Sequence, residues 1–77
     1  MKLPRLSAIG KFKDDTGVTL DQFLARKITL PVCLDMLAQM LVEVRPKLQP
    51  GELLILSEIV LVNNGLVMEE AEKRERN

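Results

Sequence analysis

From Cys33 onward the apolar residues fall on one stripe. Cys33, Met36, Leu37, Met40, Leu41 and Val44 follow the spacing i, i+3, i+4, i+7, i+8, i+11, the period of a helix with one buried face. Asp35, Gln39 and Glu43 take the opposite, wet face. Thr29 suits the N-cap, and Pro31 is tolerated in the first turn, where its missing N–H has no partner to lose. Pro46 stops the pattern at about Arg45. The spacing therefore predicts a helix over about 30–45.

A second apolar run has no such stripe. Between Leu53 and Val62 the only polar side chains are Ser57 and Glu58. Asn63-Asn64-Gly65 follows, then Leu66, Val67 and Met68, then a charged tail over 69–77. Asn-Gly between apolar runs is a hairpin signal, so a β-hairpin at 53–68 in an α+β protein is the alternative. The helix is preferred. The return strand would be only Leu66 to Met68 before a strongly helix-forming sequence, and an isolated short hairpin is marginal in water. Pro50 then starts a helix over about 51–63, Glu52 lies in its first turn, and Gly65 supplies a left-handed C-cap.

Upstream the pattern weakens. Pro4, Gly10 and Gly17 punctuate residues 1–17, which read as an irregular arm. The Thr19-Leu20-Asp21-Gln22 segment has the form of a capping box and opens a short helix over about 19–28. The predicted fold is all-α: a hairpin of two long helices, a short preceding helix and a charged helical tail.

Composition sharpens one point. The chain has 77 residues, 47% of them apolar, yet no Trp, no Tyr and two Phe. One domain of this size buries only about 60% of its unfolded surface. The helix at 51–63 has more apolar surface than one neighbour can cover. Leu53, Leu56, Ile59, Val60, Val62 and Leu66 are therefore the candidate oligomer or partner interface, and a two-fold homodimer is the simplest cover. Met36, Met40 and Met68 read as core filler at helical spacing, or as part of such adaptable apolar surfaces.

Net charge is zero, which gives no general attraction to nucleic acid or anionic membrane. The arm is locally basic, and Lys2, Arg5, Lys11 and Lys13 are candidates for electrostatic docking on an acidic partner. No apolar run approaches the ~20 residues of a membrane span. The lone Cys33 excludes an internal disulfide, and no apolar leader precedes residue 17, so a cytoplasmic setting is expected.

Catalytic chemistry has little to work with. There is no histidine, so the commonest general base and neutral metal ligand are missing. Cys33 lies on the apolar stripe and reads as a buried small hydrophobe. The acidic pairs Asp14-Asp15 and Glu69-Glu70 fall in the arm and the solvated tail. The four glycines match no phosphate-binding loop. No catalytic, cofactor or metal residues are expected.

The segment FLARKITLPVCLDML, Phe23 to Leu37, resembles the helix-turn-helix of phage-repressor-like regulators. Leu24, Ala25, Ile28 and Thr29 carry the resemblance, which implies DNA binding through a degenerate motif at 20–45 aided by the basic arm. It departs at the turn, which lacks a glycine, and at Asp35, which takes an apolar position. The reading helix would also turn Asp35, Gln39 and Glu43 towards phosphates and repel them.

The favoured expectation is a non-enzymatic protein–protein interaction module: an adaptor, assembly factor or stoichiometric inhibitor. A bacterial or phage accessory protein that binds a host protein has this size and style. A small DNA-binding regulator is the alternative.

Overall fold

A computed structural model describes residues 7–76, with the Arg76 side chain excluded. Helix α1 runs from Ala8 to Leu24, α2 from Leu30 to Val44, and α3 from Glu52 to Arg76. A 3₁₀ turn, Arg45–Lys47, follows α2. No strand occurs among the described residues. The all-α class holds, and the β-hairpin at 53–68 is overturned.

Helix α1 replaces most of the predicted arm and the short helix at 19–28. It starts at Ser7, whose hydroxyl accepts the Gly10 N–H at 3.1 Å as an N-cap. It continues through Gly10 and Gly17 and ends at Leu24. Thr19 is therefore no cap. It lies buried in mid-helix, and its hydroxyl donates to the Asp15 carbonyl at 3.2 Å. Thr16, equally buried, donates to the Lys13 carbonyl at 3.1 Å. These internal bonds satisfy the hydroxyls and leave the methyl groups free to pack. Phe12, Thr16, Thr19, Leu20 and Phe23 form the buried face, so packing outweighs the low helix propensity of two glycines. Lys2 and Arg5 lie outside the described residues.

The α1–α2 turn is a Schellman motif. The Lys27 N–H donates to the Gln22 carbonyl at 2.8 Å, and the Arg26 N–H to the Phe23 carbonyl at 3.0 Å. This geometry needs a left-handed residue, and Arg26 supplies it at φ 62°. An L-residue with a Cβ pays about 1–2 kcal/mol there. Arg26→Gly removes that strain, while glycine's looser unfolded chain takes back part of the gain. The expected result is a net stabilisation of about 0.5–1 kcal/mol, read as a rise of some 4 °C in Tm by thermal circular dichroism.

Helix α2 matches its prediction. Thr29 takes the extended N-cap conformation but makes no side-chain cap bond. Cys33 and Val44 are buried, with Met36, Leu37, Met40 and Leu41 half-buried between them. Pro46 lies in the 3₁₀ turn that ends the helix.

Helix α3 is far longer than 51–63. It passes through Asn63, Asn64 and Gly65 without a break and absorbs the charged tail. Gly65 has no left-handed φ, so the C-cap at Gly65 is overturned. At the start, the Glu52 carboxylate accepts the Gln49 N–H at 3.0 Å, half of a capping box, and Pro50 lies in the turn just before the helix.

The long helices do not pair as a simple hairpin. Helix α1 packs against both, most extensively against α2. Two core clusters tie the three together. One joins Leu20 and Phe23 of α1, Cys33 of α2 and Val67 of α3. The other joins Phe12, Val44 and Leu56. The radius of gyration is 13.9 Å, against about 11.5 Å for a compact chain of this length. The shortest axis is 16 Å, at most two helices deep at ordinary spacing. An elongated shape of this kind hides less apolar surface than a ball would.

The far end of α3 is clamped to the end of α1. The Arg74 guanidinium donates from Nη2 to the Phe23 carbonyl at 2.7 Å. It lies over the Phe23 ring, 4.2 Å from the centroid, a cation–π geometry. Its Nε donates to Glu70 at 3.2 Å, which orients it. The clamp adds a charged donor to the Phe23 carbonyl, which also accepts the Arg26 N–H in the turn.

Candidate interaction surface

The largest exposed apolar feature follows from how α3 sits. Leu56, Asn63 and Val67 face inward and are buried, with Ile59 and Val60 half-buried beside them. The opposite side of the helix is then fixed by its 3.6-residue turn. Leu54, Leu61 and Met68, each seven residues after the last, line that side. They are 75%, 70% and 62% exposed. Ile55 and Val62 flank the stripe and are also exposed. Glu58 and Gly65 lie between these rows by helical position.

Of the candidate interface residues, Leu53, Val62 and Leu66 are exposed. Leu56 is not an interface residue. It is part of the chain's own core with Phe12 and Val44. Ile59 and Val60 pack against that same cluster. The sequence pattern singled out neither Leu54 nor Leu61, and named Met68 only with the other methionines. In a helix apolar almost all round, spacing alone does not separate the outer row from the inner one, because Leu56 and Asn63, and Val60 and Val67, are seven residues apart as well.

A second apolar feature is the groove where α2 and α3 diverge above α1. Phe12 and Thr16 form its floor, Leu37, Leu41 and Val60 its walls, and Asn63 lines it. Its volume is about 190 Å³, below the 300–1,000 Å³ of ordinary small-molecule sites.

Of the basic candidates, the two among the described residues, Lys11 and Lys13, border different hollows. Lys11 borders a small hollow with Asp15, Glu43 and Lys47. Lys13 borders another with Glu58. Each cation has acidic neighbours, so the local field is mixed. Asp35, Gln39 and Glu43 are exposed along α2, an acidic outer face on the would-be reading helix.

Cys33 is fully buried. Burial pushes its thiol above the ordinary value of 9.0 by disfavouring the charged form. A thiol reagent is expected to label native protein far more slowly than protein in denaturant, since the thiolate is the reactive form. The raised value also links to stability. The contribution is complete below pH 9 and fades as pH rises further, because the unfolded thiol ionises first. Rapid native labelling at neutral pH would refute the burial.

Among the described residues no group of three or more acidic, cysteine or histidine side chains is placed to hold a metal ion. No described helix is long and apolar enough to cross a membrane. No protein-family model, curated protein or solved structure matches the chain.

Proposed function

We propose that this chain is a non-enzymatic protein–protein interaction module, acting in the cytoplasm as an adaptor, assembly factor or stoichiometric inhibitor, and that it self-associates through α3. The observation that carries this reading is the exposed row Leu54, Leu61 and Met68 on a 25-residue helix. Single exposed leucines are ordinary, but a row of them on a rigid helix, flanked by exposed Ile55 and Val62, suits an association surface. The lack of histidine and the burial of the lone thiol favour binding over catalysis.

Light scattering after gel filtration tests the reading. Wild type is expected to shift from monomer to dimer across the micromolar range, and Leu61→Asp to remain monomeric with unchanged helicity. A wild-type chain that stays monomeric at high micromolar concentration would sink self-association.

One observation favours the second reading, DNA binding. Helix α1, a tight turn and α2 follow in helix-turn-helix order. The acidic outer face of α2 opposes it, because a reading helix must approach phosphates. A gel shift at low salt that weakens steeply with added salt, and is lost on neutralising Lys11 and Lys13, would establish it. No shift with any DNA removes it.

A further inference from the structure

We propose that Asn64-Gly65 is a modification site whose gate is α3 itself. Local opening of the helix lets Asn64 convert to aspartate and isoaspartate, with water as the only co-reactant. The isoaspartate form then releases the far end of α3 from the core.

Asn64 is exposed, and glycine follows it. Glycine favours this chemistry because no side chain shields its nitrogen and its backbone turns freely. The Gly65 backbone nitrogen gives its proton to water and attacks the Asn64 side-chain carbonyl carbon. A nitrogen–carbon bond forms, the bond to the side-chain amide nitrogen breaks, and ammonia leaves with a proton. Water then opens the five-membered imide at either carbonyl. Attack on the side-chain carbonyl restores the normal backbone and leaves aspartate. Attack on the backbone carbonyl leaves isoaspartate, with one more methylene in the main chain. Either way one water is consumed and one ammonia released. Nothing is oxidised, and the chain gains one negative charge.

The intact helix blocks the first step. A helical Gly65 N–H is bonded to the Leu61 carbonyl, and helical ψ at Asn64 keeps that nitrogen from its side chain. Asn64 lies at the middle of α3, Glu52–Arg76, too far from either end for fraying to expose it. The gate therefore opens in mid-helix. Leu56 and Val67 are the buried apolar anchors of α3. From 61 to 66 the sole buried residue is Asn63, an amide, and the other five are exposed. Asn63, Asn64 and Gly65 are also weak helix formers in succession. Few buried apolar contacts and exposed backbone bonds mark a segment that opens at low cost.

The two products differ in effect. Aspartate leaves the helical path intact at an exposed position. Isoaspartate shifts the register of everything after it. Val67, packed with Leu20, Phe23 and Cys33, and Arg74, on the Phe23 carbonyl, both lie downstream. Their contacts are lost together.

Ageing the full chain in warm, mildly alkaline buffer, native and in urea, tests the site. Isoelectric focusing reads the added charge, and peptide mass mapping places it. Asn64 is expected to convert in urea, ahead of Asn63, whose neighbour carries a side chain. In native protein the rate should be lower by about tenfold or more. Gly65→Ala should suppress conversion in both. Its Cβ meets nothing within 4 Å and alanine strengthens a helix, so the variant keeps its fold. No conversion of Asn64 in urea overturns the site. Equal native and urea rates overturn the gate. A native rate equal to the urea rate times the globally unfolded fraction means that α3 opens only with the whole chain, and overturns the local opening. Purified isoaspartate chains are expected to melt several degrees below Asn64→Asp, which carries the same charge on a normal backbone. Equal melting overturns the release.

Discussion

Phe23→Ala is expected to remove a large share of the chain's stability. Phe23 is 0% exposed and closes the upper core with Leu20, Cys33 and Val67. Truncating a buried phenylalanine costs about 3–5 kcal/mol, part for lost transfer and part for the cavity left behind. At about 0.05–0.15 kcal/mol per residue, a chain this short has only some 4–12 kcal/mol in total. The ring also underlies the Arg74 guanidinium, so an exposed-to-weakly-buried cation–π contact of about 0.5–1 kcal/mol goes with it. The backbone carbonyl that Arg74 grips survives the substitution, which limits the loss. Urea denaturation followed by circular dichroism measures the effect, and Phe23→Leu, which keeps most of the volume, should fall well short of it. A loss under about 1 kcal/mol for Phe23→Ala would mean that the upper core is not packed as described.

Leu56→Asp is expected to abolish folding outright, whereas Leu61→Asp is expected to leave the fold intact. The two positions are five residues apart on one helix, about 140° around its axis at 3.6 residues per turn. Leu56 is 6% exposed against Phe12 and Val44. Aspartate there forfeits about 1.5–3 kcal/mol of apolar burial. It also buries a carboxylate with no partner, which costs several kcal/mol more. Leu61 faces water in the single chain, and aspartate there strands no charge. Far-ultraviolet circular dichroism on the two variants decides the matter. Equal helicity in both would mean that α3 is rotated from the orientation described, and the outer row with it.

Helix α2 was legible because its apolar positions repeat on one face and its ends carry Thr29 and Pro46. Helix α1 was hidden by its own composition. Its buried positions Phe12, Thr16, Thr19, Leu20 and Phe23 also follow a helical spacing, i, i+4, i+7, i+8, i+11. Two of them are threonines, which count as polar until their hydroxyls are seen to bond within the helix. Gly10 and Gly17 then looked like boundaries, although neither ends the helix. The Asn63-Asn64-Gly65 stop failed for a related reason. Local turn preference amounts to little against a helix anchored on both sides, by Leu56 before the sequence and Val67 after it. The interaction face was legible only as a surplus of apolar residues. Which of them face inward depends on α1, and α1 was the helix the pattern concealed.

The clamp between Arg74 and the Phe23 carbonyl spans 51 positions of the chain, whereas most other hydrogen bonds lie within single helices or turns. Contacts that close so long a loop gain nothing until the intervening chain is arranged. The guanidinium therefore belongs to the descent after the folding barrier rather than to the barrier itself. Arg74→Ala should leave the refolding rate nearly unchanged and quicken unfolding, so that the chevron moves on one arm only. On this view the charged end of α3 acts as a latch: it sets how long the native state lasts once formed, while the speed of reaching it is decided elsewhere.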